Sequence, residues 1–132
     1  VLKSEGNRKN HILDSIWIFY NNIGDTVKKI NYVMGKKTGY LYTYNTDRTS
    51  NYEYIGNIIS KELYINDKKQ GTSYYYFKSG KLKSTVEYND NGKDGLAWEY
   101  DEKGIIVSIL RYRKGTLVER EKINRTFRNS NR

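Results

Sequence analysis

The chain predicts an all-β fold, a single-layer, twisted and curved antiparallel meander of about four hairpin repeats. Three observations carry this. Tyrosine and glycine recur at fixed offsets, tight-turn signals separate runs of alternating polarity, and the composition has 14 tyrosines and no proline among 132 residues. Tyrosine favours strands, and a chain without proline leaves every ladder donor available.

The repeat runs Tyr20, Gly24, Tyr32, Gly39, then Tyr52, Gly56, Tyr64, Gly71, then Tyr76, Gly80, Tyr88, Gly95, and a fourth copy opens with Tyr100, Gly104 and Tyr112. Gly71 to Gly95 spans 24 residues and Gly39 to Gly71 spans 32, so eight residues around positions 45–51 interrupt one unit. The units expected are 14–38, 39–70, 71–94 and 95–115, followed by a closing element that ends near residue 123. Residues 1–13 are expected to be a loose charged segment, and 124–132 a fraying basic tail.

Within each unit the offsets predict two strands and two tight turns, giving about eight or nine strands in all. In the first unit Gly35-Lys36 is the expected hairpin tip, which sets Tyr32 opposite Gly39; in the second Asp67-Lys68 sets Tyr64 opposite Gly71. Asn91-Gly92 is the strongest tip signal, because both central residues of a type I′ turn need positive φ, and it sets Tyr88 opposite Gly95. A ring lying across a strand glycine supplies packing that glycine lacks. Lys78-Ser79-Gly80 and Glu102-Lys103-Gly104 read as three-residue loops closed by a left-handed glycine. Leu82, Ser84, Val86 and Tyr88 alternate with Lys81, Lys83, Thr85 and Glu87, one face buried and one wet. The next strand is apolar on both faces, with Ile105, Val107 and Ile109 on the reverse side, so Leu117, Ile123 and Phe127 are expected to pack back over it as a last strand or short helix.

The stretch from Tyr76 to Trp98, in the form Tyr-x-x-x-Gly-Lys-Leu-x-x-x-x-x-Tyr-x-x-x-Gly-Lys-x-Gly-x-x-Trp, resembles the MORN-type repeat, and more closely the bacterial variant in YwqK-family antitoxin proteins. The resemblance covers roughly residues 14 to 115. It departs at Glu119, where a closing glycine would fall, at the insertion, and around Trp17 and Ile18. It implies a protein-binding role, as a scaffold or as an antitoxin-like or immunity-like neutraliser. A shared fold does not by itself fix a function.

Composition narrows the chemistry. The chain has no cysteine, which excludes disulfides and thiol chemistry and suits either redox compartment. It has no apolar run of about 18 residues, so no transmembrane helix is expected. It begins at Val1, which predicts that a preceding piece was removed by processing or design, and favours an exported bacterial protein in the periplasm or at the cell surface. Oligomeric state is open.

No residue set makes a catalytic site, a metal site or a cofactor site. His11 is the only histidine and has no partner at a recognisable spacing. Residues Gly35 to Gly39, Gly-Lys-Lys-Thr-Gly, match the end of a phosphate loop but lack its upstream glycine, so a hairpin turn is the better reading. Asp90, Asp94, Glu99 and Asp101 cluster near the third and fourth units, as an acid/base pair or a calcium site would, but three of them stand at or beside turns, where aspartate serves the backbone. Asn124-Arg125-Thr126 matches a glycosylation acceptor on three residues only.

Binding readings fare better. Tyr32, Tyr64, Tyr88 and Tyr112 should stand in a row at two strand widths, roughly 9–10 Å apart. They form core, or else a groove for a peptide, a glycan or nucleic-acid bases. Tyr42, Tyr74 and Trp98, third after each repeat glycine, add to that surface. Net charge is +9 and concentrates late, at Arg111, Arg113, Lys114, Arg120, Lys122, Arg125 and Arg128. This segment is the candidate for anionic lipid heads or nucleic acid. A non-catalytic module that binds another protein leads, an anion-binding surface follows, and an enzyme is third.

Overall fold

Five pairs of consecutive residues adopt positive φ among the described residues, 3–49 and 51–123: Asn10-His11, Met34-Gly35, Asn66-Asp67, Asp90-Asn91 and Lys114-Gly115. In the computed structural model each pair is the tip of a two-residue type I′ hairpin. The strands are β1 (Lys3–Lys9), β2 (Ile12–Tyr20), β3 (Thr26–Val33), β4 (Lys36–Lys37), β5 (Gly39–Tyr44), β6 (Ile58–Ile65), β7 (Lys68–Lys69), β8 (Gly71–Tyr76), β9 (Leu82–Asn89), β10 (Gly92–Tyr100), β11 (Ile106–Arg113) and β12 (Thr116–Lys122). They form one open antiparallel sheet of 12 strands in meander order, with β4 and β7 as short forerunners of β5 and β8. The all-β meander of hairpin repeats is therefore the fold.

Each of the three tips expected from the sequence lies one residue earlier than predicted. Asp90-Asn91 rather than Asn91-Gly92 turns the third hairpin, so Tyr88 faces Lys93 and not Gly95. The opposition of ring and glycine is real but runs between neighbouring hairpins: Gly39 faces Tyr64, Gly71 faces Tyr88, and Gly95 faces Tyr112. Ser15, at φ 61°, takes the glycine's place opposite Tyr32.

Docking of one hairpin on the next explains the shift. The second tip residue donates its N–H to a carbonyl of the preceding hairpin: Gly35 to Leu13 at 2.8 Å, Asp67 to Lys37 at 2.9 Å, Asn91 to Lys69 at 3.0 Å and Gly115 to Lys93 at 2.7 Å. Where that residue has a side-chain oxygen, the clasp is two-way. Lys37 N–H donates to Asp67 Oδ1 and Lys69 N–H to Asn91 Oδ1, both at 2.8 Å.

The opposite turns are the three-residue loops predicted. Phe77 N–H bonds Lys81 O at 2.8 Å and Asp101 N–H bonds Ile105 O at 2.9 Å, with Gly80 and Gly104 at φ 96° and 84°. The insertion enlarges the equivalent loop between β5 and β6 and contains a short 3-10 turn, Tyr52–Tyr54. Tyr52 is consequently not the repeat tyrosine. Tyr44 is, since it faces Ile58 across the same irregularity that sets Tyr76 opposite Leu82 and Tyr100 opposite Ile106.

Two termini depart from expectation. Residues 3–13 are not a loose segment: β1 pairs with β2 around the Asn10-His11 tip, an additional hairpin that carries Arg8 where the other units have their tyrosine two residues before the tip, which hides it from the repeat pattern. Gly6 there is demanded by packing, because a Cβ would lie 2.5 Å from the Trp17 ring. At the other end β12 extends the sheet beside β11, and Leu117 stays 41% exposed, so it does not cover Ile105, Val107 and Ile109. Phe127, the Asn124 acceptor motif and the basic tail lie outside the described residues.

The core lies on one face, here the inner face. Trp17, Ile30 and Tyr64 form one buried cluster and Val86, Ala97 and Leu110 another. Successive side chains of a strand point to opposite sides, so these residues share one face while their chain neighbours, among them Ile16, Lys29, Thr85, Trp98 and Ile109, take the other.

Candidate functional site

The two predicted aromatic rows occupy opposite faces. Tyr32, Tyr64, Tyr88 and Tyr112 pack on or within the inner clusters. Each of the last three is capped by a lysine from the preceding hairpin: Lys37 Nζ lies 5.1 Å from the Tyr64 ring, Lys69 4.8 Å from Tyr88 and Lys93 4.9 Å from Tyr112. Leu13, paired with Arg8, holds the equivalent position in the first hairpin and packs on the first cluster beside which Tyr32 also lies. Tyr64 is buried, and Tyr32, Tyr88 and Tyr112 are half-buried on the same core face.

A polar network separates the two clusters. Glu62 pairs with Lys69 at 2.5 Å, and the Tyr75 hydroxyl donates to Glu62 at 2.9 Å. With its proton committed, Tyr75 accepts from the Tyr88 hydroxyl at 3.3 Å. Burial first, then the bonds to Tyr88 and Glu62, push the Tyr75 phenol well above the ordinary tyrosine range. Burial is the largest influence on Lys69 and works against its charge, but the bond to Glu62, the attraction of that carboxylate and those of Tyr88 and Tyr64 together outweigh it, and its pKa rises.

The outer face presents the second row. Register places Lys29, Tyr42, Lys61, Tyr74, Thr85, Trp98 and Ile109 directly beside one another across seven strands. Tyr42, Tyr74 and Trp98 are half-buried, as rings lying along a sheet surface are. Lys61 Nζ sits among three rings, 4.4 Å from Tyr40, 6.0 Å from Tyr42 and 5.7 Å from Tyr74. Tyr44 belongs to this face too, with Lys29 Nζ 5.8 Å from its ring. Two shallow grooves flank the row, one of about 280 Å³ between Ile16 and Tyr40 and one of about 330 Å³ between Tyr74 and Trp98. Sequence reasoning missed Lys61, Lys29 and Tyr44.

The late basic residues do not assemble into one patch among the described residues. Arg111 pairs with Glu119 at 3.5 Å on the outer face, whereas Arg120 pairs with Glu99 at 3.8 Å on the inner one. Lys122 faces Ser108 on the inner side, Lys114 is in the last tip, and Arg113 stands beside it. Arg125 and Arg128 lie outside the described residues.

Three of the four carboxylates near the third and fourth units, Asp90, Glu99 and Asp101, have structural partners. Asp90 pairs with Lys68 at 3.2 Å, and Asp101 accepts from the N–H groups of Lys103 and Ile105 at 2.9 and 3.1 Å. His11 is exposed in the first tip, and the Gly35 end of the Gly-Lys-Lys-Thr-Gly stretch is the second tip. No group of three or more metal-ligating side chains is placed to hold an ion among the described residues, where no helix is long and apolar enough to cross a membrane. No protein-family model matches the chain, and a search of well-described proteins finds no match either.

Proposed function

We propose that the chain is a non-catalytic interaction module that binds another protein across its outer face. The observation that carries this reading is the in-register row Tyr42, Lys61, Tyr74 and Trp98, aromatic anchors held by ladder geometry on a face that buries no core. Tyrosine and tryptophan are favoured at binding hot spots because they offer large contact area at little cost in side-chain entropy. Scaffold and antitoxin-like neutraliser are the settings that the MORN-type resemblance implies. The test is proximity labelling with wild type against a Tyr42→Ala/Tyr74→Ala/Trp98→Ala variant of unchanged fold. Loss of the same partners from the variant is expected, and their full retention would refute the reading.

Lys29 and Lys61 between the rings favour a second reading, an anion-binding surface for nucleic acid or lipid heads. Binding to single strands would weaken with salt at about −0.7 in log–log slope per neutralised phosphate. Titration with oligonucleotides and anionic vesicles at low salt separates the two, since a protein partner held by buried contacts responds little to salt.

A further inference from the structure

Beside the inserted loop, where the outer face meets the loop rim, lies a recess of about 580 Å³. That volume is within the range of small-molecule sites, and insertions in repeat proteins commonly map to the binding face. Tyr54 of the enlarged loop, Ile59, Tyr76 and Phe77 supply apolar walls; Lys83 and Glu102 are the charged lining that no neighbour neutralises in an ion pair among the described residues.

The insertion is fastened on both sides. Arg48 grips Asp25 with contacts of 2.6 and 2.8 Å, Lys78 pairs with Asp47 at 2.5 Å, and Asn57 Nδ2 donates to Lys78 O at 3.0 Å. Lys78 is thereby occupied. Among the described residues Lys83 is held by the Phe77 ring alone, at 5.9 Å, near the outer limit of about 6 Å at which a cation and a ring attract. Moving its ammonium onto a stronger acceptor therefore sacrifices little.

We propose that this recess binds an aromatic ring carrying a single carboxylate, the ring against Tyr54, Tyr76 and Phe77 and the carboxylate on Lys83. Glu102 in the lining opposes a second negative charge. Two sources share that chemistry, a free aromatic acid and the C-terminal aromatic residue of a peptide. The site is separate from the Tyr42, Tyr74 and Trp98 row and stands without it.

The probe is phenylacetate, titrated into the full chain while backbone amide NMR signals are followed, with benzyl alcohol as the uncharged control. Expected is saturable movement of the Ile59 and Tyr76 to Ser79 signals, and affinity at least about tenfold weaker for benzyl alcohol. Lys83→Met, which keeps the stem and removes the charge, is expected to weaken phenylacetate by about as much, while Lys83→Arg retains it. Equal affinity for acid and alcohol in the wild type, or no movement of these signals, overturns the proposal whether or not Lys83→Met folds. Gly-Gly-Phe with a free terminus, compared with its amide, separates the sources: tighter binding than phenylacetate marks a peptide terminus, weaker binding a free acid.

Discussion

Glu62 occupies the position that Ile30, Val86 and Leu110 hold in the other units, two residues before the repeat tyrosine. One carboxylate thus divides what would be a continuous apolar row, and Lys69 and Tyr75 satisfy it. Removing one member of such a pair strands the other, whereas replacing both with apolar groups is often neutral or stabilising. Glu62→Leu is expected to destabilise by about 2–3 kcal/mol in urea unfolding, and Glu62→Leu/Lys69→Leu to recover most of that loss. The raised Tyr75 pKa adds a pH signature. The folded state holds the proton more tightly than the unfolded chain, so its contribution is complete below about pH 10, the unfolded tyrosine value, and disappears as pH rises further. Tyr75→Phe should flatten that alkaline loss of stability.

At the scale of the hairpin, the tip residue both turns the chain and grips its neighbour. Asn91→Gly keeps the backbone conformation and deletes the side-chain acceptor for Lys69 N–H, leaving the one-way clasp already present at Gly35 and Gly115. A cost of about 1 kcal/mol is expected from thermal melts, and more for Asn91→Ala, which also strains a positive φ. The inserted loop should be separable. Deleting residues 46–53 restores a three-residue loop, and a folded sheet within about 1 kcal/mol of wild type is expected, since exposed ion pairs contribute little. In the intact chain Lys78 and then Thr49 hold Asp47 well below the carboxylate range. Its tether is present above about pH 4, the unfolded aspartate value, and is lost as pH falls through the lower folded value, which side-chain NMR of Asp47 reads directly.

Local rules made the hairpins legible in the sequence. Tight turns need positive φ, and glycine and asparagine announce it. Which strand faces which glycine was not legible, because the clasp between hairpins decides it and its partners are over twenty residues apart, as in Asn91 and Lys69. Tyr52 misled because an insertion of eight residues carries a tyrosine to the offset that Tyr44 vacates. Lys61 gave no signal, since Lys29, Thr85 and Ile109 hold its place elsewhere and its rings come from adjacent strands.

For the molecule as a whole, the two faces divide labour between stability and contact. Tyr64, 9% exposed, anchors a core cluster, so Tyr64→Ala should lower stability by about 3 kcal/mol. Trp98→Ala, on the outer face, should cost distinctly less while weakening partner binding. Equal losses in chemical denaturation would mean that the outer row is structural. The sheet ends in β1 and β12, both exposed along their length and both carrying charge of each sign, which discourages edge-to-edge growth. In every clasp between them the tip N–H reaches backward along the chain to an earlier carbonyl, and at Asp67 and Asn91 an earlier N–H answers it. During synthesis, each landing site is therefore complete before the hairpin that will use it leaves the ribosome. A nascent chain of this kind can assemble vectorially, one hairpin per step, each new hairpin docking on the one before it.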